Sequence, residues 1–235
     1  MRCLGVIGGM SWESTALYYR LLNQHVAARL GGLHSARLML HSVDFAPVAA
    51  MQARADWDAA AQLLGEAACG LKAAGASGLV LATNTMHKVA ERIEAAAQLP
   101  LLHIADATAA AVASAGFARI GLLGTRFTME DDSIIAARLR ERSGAEVIVP
   151  GAADRAEVHR IIYNELCRGV IDERSRECFV AVIGRLRNEG AGAVILGCTE
   201  ITLLVDTACS PLPVFDSTAL HAAAAAEWML QSPTT

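Results

Sequence analysis

The sequence predicts an α/β protein of two pseudo-symmetric lobes, each a mainly parallel sheet flanked by helices, with the active site between the lobes. Three observations predict it. Short apolar runs alternate with longer helical patterns from one end of the chain to the other. The runs lack the polar alternation of a sheet with one wet face. One stretch of the first half is written again in the second.

The candidate strands are residues 2–8, 37–43, 78–82, 101–104, 118–124, 146–149, 192–196 and 213–215. They are compact and rich in Leu, Val and Ile, as strands covered on both faces should be. Between them the periodicity changes. Trp57, Ala60, Ala61, Leu64, Ala67, Ala68 and Leu71 recur three and four apart, which lines one face of a helix. The Ala-rich stretch before Trp228 is bracketed by Asp216 and Glu227 and reads as a short helix. The first lobe is expected over residues 1–97, completed by a C-terminal helix at 216–231, and the second over 98–215.

The repeat sets residues 71–85 against residues 186–200 at an offset of 115. Leu71 and Leu186, Gly75 and Gly190, Ala76 and Ala191, and Leu81 and Leu196 are identical pairs, while Lys72/Arg187, Leu79/Val194 and Val80/Ile195 match in character. A helix end, a Gly turn, a buried strand and a polar strand end are thus specified twice. Residues 4–9 resemble 120–125, and Asp106-Ala107-Thr108 after Pro100 echoes Asp216-Ser217-Thr218 after Pro213. Ligands of open α/β sheets bind outside the carboxyl ends of the strands. Duplication turns Thr83 of one half toward Cys198 of the other, so that a small substrate between them is flanked on two faces.

The chain has 235 residues, of which 54% are hydrophobic and 19% charged, enough apolar content for a sizeable core. A formal net charge of −4 gives no electrostatic case for nucleic acid. No run of about 20 apolar residues could span a bilayer. The N-terminal apolar run is too short for a signal peptide, so a cytoplasmic protein is expected. Its six cysteines form no CxxC pair and no zinc spacing, which predicts free thiols and no metal.

Two polar clusters carry the chemistry. Thr83-Asn84-Thr85 and Cys198-Thr199-Glu200 end matching strands, and each is expected to open a helix whose first N–H groups can hold a carboxylate. Ordinary helix caps use the same residue types, and the paired occurrence is what favours function. Gly8-Gly9-Met10-Ser11 and Gly124-Thr125 bring close-approaching backbone and hydroxyls to the same ends. A helix N-terminus would lower the Cys198 thiol from about 8.5 toward neutrality, giving a thiolate base or nucleophile. His87 and His103 leave a Cys–His pairing open. A dinucleotide site fits poorly, because Gly5-Val6-Ile7-Gly8-Gly9 is not GxGxxG and no acidic residue follows at the required distance.

Residues 5–15 (GVIGGMSWEST), 84–87 (NTMH), 122–125 (LLGT) and 195–200 (ILGCTE) together resemble the aspartate/glutamate racemase family, with likeness over essentially the whole chain. The resemblance implies two pseudo-symmetric lobes, a homodimer, no pyridoxal phosphate or metal, and racemisation by removing the α-proton on one face and returning one on the other. It implies catalytic Cys198 and Thr83, and a pocket lined by Met10, Ser11 and Gln52. Asn84, Thr85, Thr125 and Thr199 would hold the α-carboxylate, and Glu200 would receive the ammonium or orient Cys198. The chain departs from the family at Thr83, where a second cysteine is usual. A hydroxyl is a far weaker acid than a thiol, so Thr83 would pass a proton or hold a water, making the two directions unequal. A distal carboxylate needs a cation, with Arg54, His159, Arg160 and Arg168 as candidates and residues 156–169 the place to look. Two other readings stay open: a single-thiol decarboxylase or isomerase of a dicarboxylic acid, and a silent amino-acid-binding protein.

Overall fold

The computed structural model describes residues 1–130 and 133–231. The chain forms two compact units, Met1–His103 with the C-terminal segment from His221, and Ile104–Leu220. The first contains β1 (Leu4–Gly8), α1 (Trp12–Leu30), β2 (Leu38–Ser42), α2 (Phe45–Ala53), α3 (Trp57–Ala73), β3 (Gly78–Leu81), a 3-10 helix at Thr85–Val89, and α4 (Ala90–Ala97). The second contains α5 (Ile104–Ala115), β4 (Arg119–Gly124), α6 (Arg126–Met129), α7 (Ile134–Ser143), β5 (Glu146–Ile148) and α8 (Ala152–Asn164). It continues with a 3-10 turn at Leu166–Arg168, α9 (Glu173–Asn188), β6 (Ala193–Gly197), a 3-10 helix at Thr199–Leu203 and β7 (Val214–Asp216). Helix α10 (Ser217–Leu230) follows, and from His221 onward it belongs to the first unit.

Both sheets are parallel, in the orders β2-β1-β3 and β5-β4-β6-β7. Each is covered on both faces by helices. In the first unit, Ile7, Leu79 and Leu81 pack with Leu64, Leu71 and Ile93 on one side. Leu4, Val6 and Val80 pack on the other side with Tyr18, Leu22 and the α10 residues Ala222, Ala225 and Met229. In the second unit, Leu123, Val194 and Leu196 face α8 and α9, while Ile120, Leu122 and Ile195 face α5 and α7. These alternating assignments are the period of two that a strand imposes on its side chains.

The repeat is physical as well as textual. After α3, Gly75 takes φ +104° and its N–H donates to Lys72 O at 2.9 Å; after α9, Gly190 takes φ +95° and donates to Arg187 O at 3.0 Å. Such backbone is open to glycine and strained for other residues. The next bond is duplicated too, Ala76 to Leu71 O and Ala191 to Leu186 O, each 3.0 Å. Leu79 N–H then donates to Pro100 O (2.8 Å) and Val194 N–H to Pro213 O (2.9 Å).

The run at 101–104 does not become a strand. Only Leu101 bridges to Leu79, because α5 begins at Ile104 and leaves no length for a ladder. Nor is every strand covered as expected. The last three residues of β2 are exposed, since β1 is its only sheet neighbour.

Gly5 lies where β1 meets α3. A Cβ there would sit 2.9 Å from Leu79 Cδ2 and 3.1 Å from Ala76 Cβ, whereas one on Gly184 in α9 would meet nothing within 4 Å. Gly5→Ala should therefore cost about 1–3 kcal/mol of overpacking. Gly184→Ala should add about 0.5–1 kcal/mol by relieving helix entropy. Urea unfolding midpoints of the two variants should move in opposite directions.

Candidate active site

In the second unit, β4 and β6 run side by side to their ends, with Gly124 opposite Gly197. Neither position has room for a side chain: a Cβ on Gly124 would lie 2.9 Å from Gly197 O, and one on Gly197 2.8 Å from Leu123 O. Thr125 and Cys198 follow directly, both buried. Cys198 is in extended conformation, and the chain then turns into the 3-10 helix that carries Thr199 and Glu200. This turn brings the Cys198 Sγ–H to Glu200 Oε2 at 2.9 Å. Thr199 Oγ1 accepts from Thr218 Oγ1 at 3.1 Å, while its carbonyl accepts from Thr202 Oγ1 at 2.8 Å. Thr125 Oγ1 is 3.4 Å from Thr128 Oγ1.

This environment reverses the expected electrostatics of the thiol. Burial pushes Cys198 well above the ordinary thiol value, and the neighbouring Glu200 and Cys167 push the same way. The segment after Cys198 is a five-residue 3-10 helix rather than a full α-helix. It offers little dipole to set against burial beside a carboxylate. Cys198 therefore rests as a thiol with its proton directed at a carboxylate oxygen.

In the first unit, β1 and β3 end together, with Ala82 N–H donating to Ile7 O at 2.9 Å. Met10, Ser11, Gln52, Thr83, Asn84 and Thr85 are all buried around that end. Ser11 caps α1 by accepting from Ser14 N–H, and Ser14 Oγ donates to Ala82 O at 2.9 Å, just before Thr83. Thr15 Oγ1 donates to Ser11 O and accepts from Gly9 N–H, so the Gly9–Ser11 turn is tied to the first turn of α1. Gln52, which the sequence allows to face solvent, instead points Nε2 at Met86 Sδ (3.0 Å). Met10 packs in the same apolar cluster as Val48 and Met86.

Behind Thr83 lies a histidine cluster. His87 Nδ1 donates to Thr83 O at 2.8 Å, and its ring stands 4.6 Å from His103 and 5.7 Å from His221. A carbonyl only accepts, so Nδ1 carries the proton. His221 donates from Nε2 to Leu102 O and, when neutral, accepts from the Tyr18 hydroxyl at Nδ1, both at 2.8 Å. Burial first, then His103 and His221, holds His87 well below its usual value, hence neutral. The part His87 plays here is to fix the Thr83 carbonyl.

Among the candidate cations, Arg160 is engaged by Glu157 and Glu165. Arg54 ends α2, and Arg168 lies in the short turn at Leu166–Arg168. His159 is half-buried, and its ring contacts Tyr163 at 4.6 Å. Tyr163 and Arg126 stand outside the residues that the sequence singles out, and Thr218 enters there only as an echo of Thr108. Thr218 was reachable, since its Asp-x-Thr context is duplicated; Tyr163 gives no signal beyond its place in the 156–169 segment. Among the described residues, no group of three or more His, Cys, Asp or Glu side chains could hold a metal ion, and no helix is long and apolar enough to cross a membrane.

The chain is thus an α/β protein of two parallel-sheet units with polar strand ends, one of which carries a buried thiol–carboxylate pair. Residues 7–225 match the model of the Asp/Glu/hydantoin racemase family, and the chain belongs to that family. It is 57% identical to a Yersinia pestis protein of known structure assigned as an Asp/Glu racemase, covering 98% of this chain and 100% of that one, with a TM-score of 0.90. An aspartate racemase homologue from Pyrococcus horikoshii is 31% identical over 98% and 100% of the two chains, with a TM-score of 0.82. The aspartate racemase of Picrophilus torridus shares the fold at 22% identity and a TM-score of 0.75, over 97% and 95%.

Two outcomes follow from the electrostatics. The thiolate absorbance lost on Cys198→Ser should titrate above the ordinary thiol range, and Glu200→Gln should move it down; a Cys198 transition near or below that range would contradict the geometry. His87, neutral when folded, gains protons on unfolding below about pH 6.5. Stability should therefore fall as pH drops through that value toward the depressed folded one, by about 1.4 kcal/mol per pH unit. Unfolding curves of wild type and His87→Gln at pH 7 and pH 5 should show the variant losing less.

Proposed function

We infer that the chain is a cofactor-independent racemase of an amino acid, aspartate or glutamate, with Cys198 and the Thr83 side serving opposite faces of the α-carbon. The observation that carries this reading is the 2.9 Å contact from Cys198 Sγ to Glu200 Oε2 at a strand end, in a member of a racemase family. Glu200 takes the thiol proton; the thiolate then removes the α-proton, leaving the bond's electron pair on the α-carbon, delocalised into the carboxylate. The hydroxyls of Thr125 and Thr199, with Asn84 and Thr85, bind that carboxylate, and Met10, Ser11 and Gln52 line the substrate. Thr83, or a water it holds, returns a proton to the other face.

Lysine chemistry has little to draw on. The two lysines are Lys72, exposed near the end of α3, and Lys88, whose ammonium lies 5.0 Å from the Trp57 ring centre. Six free cysteines suit a reducing cytoplasm, and the exposed Trp12, Tyr19, Leu33 and Leu40 suit burial in a homodimer. The hydroxyl at Thr83 also favours a second reading, a single-thiol decarboxylase, which would release carbon dioxide.

Protein dialysed against chelator, without pyridoxal phosphate, should exchange the α-proton of aspartate or glutamate in deuterated water. Cys198→Ser should lose at least about 100-fold, as removal of a catalytic acid–base does. Free enantiomers equilibrate one to one, so kcat/KM is equal in both directions and asymmetry must appear in kcat and KM together. The enantiomer whose α-proton faces Cys198 should exchange faster than it racemises; the other should exchange no faster than it racemises, until Thr83→Cys supplies a second base. Wild-type rates in Cys198→Ser would overturn the mechanism.

A further inference from the structure

The second unit contains a cavity of about 400 Å³ just past the end of β4, lined by Arg126, Arg155, His159 and Glu130 over an apolar floor of Met129 and Ala156. Its position follows from the sheet register. Gly124 pairs with Gly197, so Thr125 and Cys198 are the next residues of adjacent strands, and Arg126 comes one residue later. The Tyr163 ring contacts His159 at 4.6 Å. Its phenol is raised by burial and by Cys198, while Arg126 pulls it down, so the hydroxyl lies in electrostatic reach of both thiol and guanidinium.

The groups around the cavity are arranged as anion donors. The Arg126 backbone N–H donates to His159 Nδ1 at 3.3 Å, so a neutral His159 carries its proton on Nε2. The Arg126 guanidinium sits 4.7 Å from the Phe127 ring centre, and among the described residues no carboxylate lies within ion-pair distance of it. Arg155, which donates to Met129 O, also lines the cavity. Among the described residues lining the cavity, Arg126 is the guanidinium that no carboxylate engages.

The geometry points to this cavity as the subsite for the side-chain carboxylate of the substrate, with Arg126 as its principal ligand and His159 Nε2–H as a second donor. The site therefore selects amino acids with an acidic side chain. An arginine fork binds a carboxylate through two parallel N–H···O bonds, which a neutral side chain cannot return. The proposal rests on the reading of Cys198 as the base of an amino-acid racemase, but it makes a claim about binding that can be tested without turnover.

Calorimetry on Cys198→Ala should show aspartate or glutamate binding, and the added Arg126→Ala change should weaken it at least about 10-fold. Binding of alanine, which has no distal carboxylate, should be unchanged. Arg126→Lys should restore part of the loss. Arg126 is exposed, so thermal unfolding should be the same with and without the change. In the active protein, Arg126→Ala should raise KM for aspartate and glutamate and erase their advantage over alanine. Equal weakening for alanine and the dicarboxylic amino acids would overturn the proposal, as would no weakening or no dicarboxylate binding at all. Selective, Arg126-dependent binding without α-proton exchange in wild type would uphold the subsite and sink the racemase reading.

Discussion

The second unit depends on a pairing with no side chains in it. Gly124 and Gly197 face each other across β4 and β6 with backbone oxygens less than 3 Å from where a Cβ would be. That approach lets two parallel strands stay in register to their last residue. It delivers Thr125 and Cys198 to adjacent positions outside the sheet, where a ligand can reach backbone and side chains together. Glycine at this pair concerns space rather than conformational freedom, for neither residue has positive φ.

Once the strands end there, the chemistry is local. Cys198 and Glu200 are two residues apart on one short turn, so no long-range fold element has to align them. The first unit works differently. Thr83 is held from behind, its own carbonyl taken by His87 and the preceding one by Ser14 from α1. The same strand-end position therefore carries a polarised thiol in one unit and, in the other, a hydroxyl on a backbone held by side-chain hydrogen bonds.

Much of the fold was legible in the sequence because duplicated constraints leave duplicated letters. Gly75 and Gly190 sit at positive φ, and Leu71 and Leu186 pack against the glycines of the central strands, so both pairs survive as identities. The candidate site residues are legible where they lie on repeated strand ends. What could not be read depends on burial. Whether Gln52 faces solvent or Met86, and whether the Cys198 thiol shifts up or down, is decided by neighbours remote in sequence such as Cys167 and by a turn too short to act as a helix. Arg126, as a candidate ligand, carries no signal in the sequence because a charged residue after a strand is ordinarily solvated, and its cavity exists only when α8 packs against the end of β4.

The elevated Cys198 thiol has a bearing on durability. Peroxides attack thiolate, and the first step toward sulfenic acid requires both ionisation and access. A cysteine that is buried and protonated at rest offers neither. On the proposed mechanism it ionises only while a substrate occupies the site, and so spends little time as the form that oxidants consume. The burial that raises this thiol thus also shields it from oxidants.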